Sequence, residues 1–440
     1  MMTSIRQLLD NLDGHEAGRE MFSFVRRAYP IPRSLTGDGV RETLRLLGEE
    51  IPLEVHEVAS GTSVLDWTVP KEWNVREAWI KDPEGRKVVD FEHHTLHLLG
   101  YSVPVHESMD LAELQGYLFS VPEQPDVIPY RTSYYREAWG FCLPHRQRES
   151  LPAGRYEVFI DATLEAGSLT YGEAFLPGAT DQEVLISAHV CHPSLANDNL
   201  SGLAVARSLA RRLEPLKRRF GYRFLFMPGT IGAISWLARN EDRIRRIAHG
   251  LVAANLGDGG KFHYKRSRRG EATIDRAVEQ VLAERGEEFA VDDFVPFGYD
   301  ERQFCSPGFD LPVGSLTRTP YGRYREYHTS SDNLELVRPE YLAESLRTYL
   351  EVFEVLEGEG RYRNLSPRGE PQLGRRGLYR ALGGEGSRDR EMALLWVLNL
   401  SDGDHSLLDV ARRSGLPFQA VRAAADALVE ADLLEPWAEG

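Results

Sequence analysis

The densest group of chemically reactive side chains lies in the segment SAHVCHPSLANDNLSG, residues 187–202. It contains His189, His192 and Asp198, and it follows the apolar run EVLISAHV. Imidazole and carboxylate groups are common ligands of zinc, and a loop held between a strand and a helix can keep them rigid. A single histidine would be interpreted as an ordinary loop residue, but the cluster favours a metal site.

Polar clusters follow three other apolar or strand-like stretches. His328 has Glu326 close by, an arrangement that could serve as ligand, general base or orienting group. Asp258 ends another apolar run, and the acid pair Asp300–Glu301 opens a loop. A lone acid pair is usually a solvated turn, but four clusters at strand ends indicate one site. The three additional segments are RYREYHTSSDN (323–333), NLGD (255–258) and GYDERQFCSP (298–307).

The basic stretch KRSRR, residues 265–269, has two interpretations. It is either a solvated loop or a set of arginine forks that recognise a carboxylate or phosphate of the substrate. In the second interpretation Arg266 and Arg268 bind substrate. We assign Arg302 and Tyr327, which lie in two of the polar clusters, to substrate binding as well.

The elements that position these clusters alternate between strand and helix from about residue 170 onward. This order predicts an α/β sheet with parallel strands and helices on both faces, whose chemistry lies at the carboxyl ends of the strands. The predicted strands are EVLISAHV, YRFLFMPG, GLVAANLGD and LPVGSL, and the predicted helices span 201–213, 231–248, 271–285 and 339–356.

Residues 52–165 have a different pattern, with short β-like runs separated by turns. We predict a mainly-β module inserted into the α/β domain. Its large aromatic side chains are interpreted as core of the module rather than as a ligand cage. They are Trp67, Trp73, Tyr101 and Trp139.

Taken in chain order, these segments resemble the two-zinc aminopeptidases of the α/β/α class. The whole chain is similar to a bacterial group of aminopeptidase-like proteins with an inserted β domain and a C-terminal winged helix, some of which are associated with polysaccharide biosynthesis. The resemblance covers nearly all 440 residues. Its most specific segments are SAHVCHPSLANDNLSG, PGTIGAISWL, YDERQFCSPGFDLPVGSLTRTPYG and EYHTSSDN, with DWTVPKEWNV and HLLGYSVPVH in the insertion.

The resemblance implies a three-layer α/β/α zinc aminopeptidase-like domain, formed by residues 1–51 and 166–365. The mainly-β insertion spans 52–165 and the winged-helix module 380–440. It also implies one or two zinc ions. Carried over by position, His189 and Asp258 would bind one zinc, Asp198 would bridge, and His328 would bind the second, with His192 available to fill a gap.

The sequence departs from the family pattern at two places. Cys191 stands where the family has an orienting acid, and Gly229-Thr230 stands where it has the glutamate pair that supplies the general base. Another carboxylate, with Glu301 and Glu326 as candidates, must then act as the base. Otherwise the protein no longer hydrolyses peptides.

The sequence pattern of the C-terminal module predicts three short helices near 389–399, 406–414 and 417–431. This arrangement resembles a winged helix. Residues 384–440 contain eleven acids and five arginines. Because a DNA-reading domain carries a positive electrostatic footprint, we predict a packing or partner-binding module rather than a nucleic-acid reader.

The composition supports a cytoplasmic enzyme. The chain has 67 acidic and 52 basic residues and a formal net charge of −15, which argues against nucleic acid or membrane as its main partner. Three cysteines and no apolar targeting segment predict a reducing compartment. A homo-oligomer is compatible with the sequence.

The predicted function is a zinc-dependent hydrolase of the aminopeptidase type, acting on an amide or peptide bond of a small peptide-like metabolite. An acidic site would also hold a free α-ammonium group, which favours an aminopeptidase over an endopeptidase. The main alternative is a non-catalytic or regulatory metal-binding protein on a peptidase fold that has lost its general base. A third is a zinc-dependent transferase or cyclase on the same fold.

Overall fold

The computed structural model describes residues 4–378 and 387–437, which form two compact units. One unit contains the described residues up to Gly270 together with Phe289–Arg347, and the other contains Glu271–Glu288 and the described residues from Thr348 onward. Across this part of the chain, no helix combines the length and the apolar character that crossing a membrane would require.

The first unit contains a large sheet and the smaller sheets of the insertion. Its strands are β1 Glu54–Ala59, β2 Ser63–Val64, β3 Trp67–Thr68, β4 Glu72–Lys81, β5 Lys87–Asp90, β6 Val105–Asp110, β7 Leu118–Phe119, β8 Phe141–Cys142, β9 Arg155–Glu165, β10 Ser168–Leu176, β11 Glu183–His189, β12 Gly221–Met227, β13 Ile247–Ala253, β14 Phe262–Lys265, β15 Phe289–Asp292 and β16 Val313–Thr317.

The large sheet has eight strands in the order β1-β10-β12-β11-β13-β16-β14-β15. Its four central strands, β12, β11, β13 and β16, are parallel, as predicted. The flanks differ from the predicted parallel sheet, because β10 pairs antiparallel with β12 and with β1, and β14 pairs antiparallel with β16. On the β10 flank, the chain returns from the insertion directly from β9 into β10. A parallel pairing would need a crossover connection such as a helix, and none is present there.

The helices begin and end close to the predicted positions. They are α1 Ile5–Asp10, α2 Gly14–Ala28, α3 Asp38–Leu47, α4 Leu111–Leu114, α5 His145–Glu149, α6 Gly202–Leu213, α7 Ile231–Arg239, α8 Glu241–Ile244, α9 Thr273–Glu284, α10 Glu301–Phe304, α11 Pro339–Gly358, α12 Ser387–Leu400, α13 Leu407–Ser414 and α14 Phe418–Glu430. The segment predicted as one helix over 231–248 ends at Arg239 and continues as the short α8.

Helix α6 is fixed at its first residue by the strand beside it. A Cβ atom at Gly202 would lie 2.3 Å from the carbonyl oxygen of Ala253 and 2.3 Å from Oδ1 of Asn199. Only glycine allows this approach. The close contact brings the start of α6 against the end of β13, and so places the preceding 196–201 turn at the carboxyl edge of the sheet.

The insertion is mainly β, as predicted, with a four-stranded antiparallel sheet in the order β5-β4-β9-β6. Trp73 and Tyr101 are buried in its core and their rings stack 5.7 Å apart. Trp67 does not belong to this core, because 49% of its surface is exposed. The interpretation of all four aromatic side chains as core is therefore wrong for Trp67.

The second unit contains α12, α13 and α14 with a three-stranded sheet, β18-β17-β19, formed by β17 Arg361–Asn364, β18 Asp402–Ser406 and β19 Leu434–Pro436. Helix α13 begins with a capping box between Ser406 and Asp409 and ends at Gly415, whose φ is 70°. The winged-helix part of the predicted fold class is therefore present. The only basic residue of α14, Arg422, pairs with Asp426 at 2.9 Å and donates to the carbonyl oxygen of Gly358.

A buried ion cluster links the amino ends of the central strands in the first unit. Arg223 on β12 is 4% exposed and pairs with Glu183 on β11 at 2.6 Å and with Glu173 on β10. Trp236 Nε1 donates to the second oxygen of Glu173 at 2.9 Å. Because each charge is desolvated, the carboxylates depend on the guanidinium for their compensation.

We therefore predict that Arg223→Met lowers the free energy of unfolding by about 3–5 kcal/mol, because two buried carboxylates lose their partner. The measurement is urea denaturation followed by circular dichroism. The control is Arg76→Met, which removes an ion pair with Asp161 from a side chain that is 67% exposed; we expect a loss of about 1 kcal/mol or less. Equal losses in the two variants would contradict the prediction.

Candidate metal centre

The carboxylate of Asp198 is the centre of the candidate site. It is fully buried, and its two oxygens face different imidazoles. His189 Nε2 lies 2.7 Å from Oδ1, and His328 Nε2 lies 3.0 Å from Oδ2. His192 Nε2 lies 4.0 Å from the same Oδ2. The structure thus brings together four of the five residues that the sequence assigned to metal binding.

Two elements place these side chains. His189 is the last residue of β11, and Asp198 lies in the irregular 196–201 turn that follows it. Asp332 holds this turn, because its carboxylate accepts from the backbone N–H groups of Asn197 at 2.6 Å and Asp198 at 3.0 Å. Burial raises the pKa of Asp332 to about 7.

The insertion positions the third imidazole. The backbone N–H of Tyr130 donates to the carbonyl oxygen of His328 at 2.8 Å, and that of Ser330 donates to Ile128 at 2.9 Å. His328 has a φ of 56°, a left-handed conformation that is strained for a residue with a side chain. Such a conformation persists only where the surroundings impose it, and here the segment 128–130 does so.

Aromatic rings surround the imidazoles. The Tyr299 ring stacks on His189 at 5.1 Å, and the Tyr327 ring stacks on His328 at 3.9 Å. The edge of Tyr130 contacts His192 and His328 at 5.2 and 5.0 Å. These rings reduce the contact of the imidazoles with water, which strengthens the electrostatic interactions within the centre.

The pKa values reflect that burial. Desolvation lowers the pKa of His192 to about 3, which keeps this imidazole neutral. Burial by itself would raise the pKa of Asp198, but the nearby histidines, His192 foremost, outweigh it and hold the pKa well below its usual value. Neutral imidazole and ionised carboxylate are the forms that bind metals.

A second buried carboxylate, Asp300, faces the same cavity. It lies just before α10 and is 1% exposed, and its Oδ2 accepts from Ser187 Oγ at 3.3 Å. Among the described residues nothing donates a hydrogen bond to its Oδ1. Burial raises the pKa of Asp300 to about 6, although the neighbouring His189 opposes the shift.

Asp300 stands beside Gly229, the position at which the family resemblance puts a glutamate. A Cβ atom at Gly229 would lie 3.4 Å from Oδ1 of Asp300 and 3.2 Å from Cβ of His189. The space that a side chain at position 229 would enter is therefore next to the Asp300 carboxylate. The adjacent acids Asp300 and Glu301 are the sequence clue to this carboxylate, but the sequence-based prediction names Glu301 as a candidate base instead of Asp300.

Three sequence-assigned residues are not brought to this centre. Glu301 is fully buried but turns to Lys265 Nζ, 2.8 Å away, in a neighbouring cavity of about 350 Å³. Glu326 does not line the cavity beside the imidazoles. Asp258 accepts from Thr319 Oγ1 at 2.6 Å and from Asn197 Nδ2 at 2.8 Å, so it supports the 196–201 turn instead of joining the imidazoles.

Only two of the four candidate substrate-binding residues lie at this site. Arg302 and Tyr327 line the cavity beside the imidazoles, which has a volume of about 500 Å³. Arg266 pairs with Asp293 at 2.7 Å and Arg268 pairs with Asp310 at 2.8 Å, and neither lines this cavity. The insertion also contributes to its wall, with residues that the sequence analysis did not assign to the site: Trp67, Tyr130, Arg131, Thr132, Tyr134 and Tyr135.

Comparison with known proteins agrees with this architecture. Residues 22–359 match the family described as Domain of unknown function (DUF4910), and residues 360–436 match a winged helix-turn-helix family. A Clostridium acetobutylicum protein, provisionally named a polysaccharide biosynthesis protein with an aminopeptidase-like domain, is 50% identical over 435 residues, which are 99% of this chain and all of that protein.

Solved structures show the same relationship. The crystal structure of a provisionally named peptidase from Clostridium acetobutylicum matches with a TM-score of 0.93 at 49% identity, covering 98% of this chain and 99% of that one. A zinc aminopeptidase from Bacillus subtilis matches with a TM-score of 0.56 at 12% identity, covering 76% and 94%. A Peptidase M28 precursor from Shewanella amazonensis matches with a TM-score of 0.58 at 14% identity, covering 80% and 96%.

The two distant structures share the fold alone, whereas the family match and the Clostridium relative each span most of the chain. The chain, an aminopeptidase-like α/β fold followed by a winged helix, therefore belongs to the family described as Domain of unknown function (DUF4910).

Proposed function

We propose that the protein is a zinc-dependent hydrolase of the aminopeptidase type, which cleaves an amide or peptide bond in a small peptide-like metabolite. One observation carries the proposal: three imidazoles converge on the two oxygens of one buried carboxylate, next to a second buried carboxylate with an unpartnered oxygen. This is the combination of ligands and base that metal-assisted hydrolysis requires.

The donor set fits zinc. His189, His192 and Asp198 offer atoms that all lie within 4.8 Å of one another, and His328 faces the other side of the same carboxylate. Nitrogen and carboxylate oxygen donors of this kind suit zinc. Because Asp198 presents one oxygen to His189 and the other to His328, the site has room for one ion or for a bridged pair.

When bound, zinc polarises a carbonyl group and makes a water molecule more acidic. The remaining work falls to the protein. We assign the proton transfer to Asp300, whose free Oδ1 would take a proton from the attacking water and deliver it to the leaving amine. Its buried position favours this role, because a carboxyl group with a raised pKa is a better proton acceptor than an exposed one.

The walls of the cavity define the kind of substrate. Tyr130, Tyr134 and Tyr135 of the insertion line the cavity together with Tyr299 and Tyr327. A cavity of about 500 Å³ suits a small molecule rather than an extended polypeptide. The proposed substrate is therefore a compact amide.

A non-catalytic metal-binding protein is the alternative that Gly229-Thr230 favours, since neither residue can transfer a proton. Asp300 supplies the missing carboxylate from a different element, which is why we prefer the enzyme. A cytoplasmic location remains our prediction as well; all three cysteines are buried and none forms a disulfide.

The first test of the proposal is metal content. We expect the purified protein to carry about one zinc ion per chain or more, and the double variant His189→Ala/His328→Ala to lose it, because Asp198 then keeps only one of its three imidazole neighbours, His192. The measurement is elemental analysis by mass spectrometry after dialysis against metal-free buffer. The control is His106→Ala, since this histidine is 66% exposed and should not affect zinc. Full zinc retention in the double variant would disprove the assigned centre.

The second test addresses the base. We expect Asp300→Asn to lower kcat by about 100-fold or more while zinc content and melting temperature stay unchanged, because the amide cannot accept the proton. Activity is measured on a panel of fluorogenic aminoacyl and N-acyl amides with the zinc-loaded protein. Glu326→Gln is the matched control and should retain activity. If the wild-type protein cleaves none of the amides, the non-catalytic alternative is favoured; if Asp300→Asn is fully active, the base is another group.

A further inference from the structure

The cavity beside the imidazoles is lined by two arginines without an acidic partner among the described residues, although the guanidinium of Arg302 lies over the ring of Phe297 at 5.6 Å. Arg131 comes from the insertion and Arg302 from α10, and both line the cavity. Within the described residues, no acidic side chain lies within ion-pair distance of either guanidinium, and neither one donates a hydrogen bond to any side chain or backbone group. The Nε of Arg302 is buried without an acceptor.

Several other arginines of the first unit do have an acidic partner. Arg266, Arg268 and Arg323 each pair with an aspartate at 2.7 or 2.8 Å. In a chain with 67 acidic and 52 basic residues, an arginine readily finds an acidic partner. Leaving a buried donor unsatisfied costs about 1–3 kcal/mol, so an acceptor bound at the Nε of Arg302 would remove that cost.

The charge of the cavity wall points the same way. Asp300 is the only carboxylate among the lining residues, since Asp198 lies beneath the wall and is enclosed by imidazoles. Two guanidinium groups against one carboxylate make this wall suited to an anion, and a free ammonium group finds little to bind there. This differs from the sequence-based expectation that an acidic site would hold the α-ammonium of a peptide.

Both arginines are also close to the reacting groups along the chain. Arg131 follows Tyr130, which contacts His192 and His328, and Arg302 is two residues beyond Asp300. An anion held by these side chains would therefore belong to the same small molecule whose amide meets the metal centre.

We propose that the substrate carries an oxyanion, a carboxylate or a phosphate, which Arg131 and Arg302 bind. The substrate class is then an acidic peptide-like amide. The planar guanidinium forms paired hydrogen bonds to such oxyanions, and these charge-assisted bonds are stronger than neutral ones. The proposal rests on the proposed hydrolase function, because the metal centre defines where the amide lies.

The test uses hydroxamic acids, whose hydroxamate group binds the metal ion. Three matched series are compared on the zinc-loaded full-length protein by isothermal titration calorimetry, each with two to five methylene groups between the hydroxamate and its far end. The far end is a carboxylate, a phosphonate or a neutral primary carboxamide. We expect a carboxylate or phosphonate to bind at least about 10-fold more tightly than the carboxamide at one or more lengths. The anion that binds more tightly indicates whether the oxyanion of the substrate is a carboxylate or a phosphate.

Variants then assign this preference to the arginines. Arg131→Gln and Arg302→Gln should each reduce the preference for the anion by about 10-fold, whereas the carboxamide series should bind them as it binds the wild type. Arg302→Lys, which keeps the charge but loses the fork, should be intermediate and provides a second variant if Arg302→Gln does not fold. Arg136→Gln is the control, because Arg136 is exposed on the same segment and does not line the cavity.

Two outcomes separate this inference from the function on which it rests. If the hydroxamates bind but the carboxamides bind as tightly as both anions at every length, the oxyanion site is disproved and the metal centre stands. The same conclusion holds if the preference survives in the Arg131→Gln/Arg302→Gln double variant. If no hydroxamate binds the zinc-loaded protein, the proposed metal centre is disproved, and the oxyanion proposal with it.

Discussion

The ionised carboxylate of Asp198, removed completely from water, is the constraint around which the carboxyl edge of the large sheet is arranged. A charge in such a place is tolerated only where partners surround it. His189, His192 and His328 provide those partners from two separate loops, and Asp332 holds the backbone that carries the aspartate. A substitution of one of the three histidines would remove a candidate ligand and also leave the buried charge less compensated.

Much of the fold follows from the sequence because apolar runs and amphipathic stretches report burial directly. The central parallel strands β11, β12, β13 and β16 were predictable in this way, since each is a short apolar run followed by polar residues. The antiparallel flanks were not, because the pattern of a strand such as β10 indicates that it is buried but not which neighbour it pairs with. Pairing depends on how the chain leaves the insertion, which is a tertiary property.

The residues of the candidate site were also only partly predictable from the sequence. His189 and Asp198 could be predicted to lie close together because His189 ends a strand and Asp198 lies in the turn that follows it. The choice between Asp300 and Glu301 could not be predicted, because the turn that opens α10 sends two adjacent acids into different cavities. Once the backbone is known, the short distance between Gly229 and the Asp300 carboxylate makes Asp300 the better candidate. A carboxylate can thus serve the same point in a cavity from a different element, a replacement that aligned motifs alone do not reveal.

The hydrogen bonds between segment 128–130 and segment 328–330 give the insertion a second role. Tyr130, which lines the cavity, also donates its backbone N–H to His328 and so helps to hold that residue in its left-handed conformation. Displacement of segment 128–130 would break those bonds and release the imidazole from Asp198 in one event. Access to the cavity and the geometry of the candidate metal centre are therefore not independent, so a chimera that exchanged only the insertion would preserve neither unless the 328–330 loop were exchanged with it.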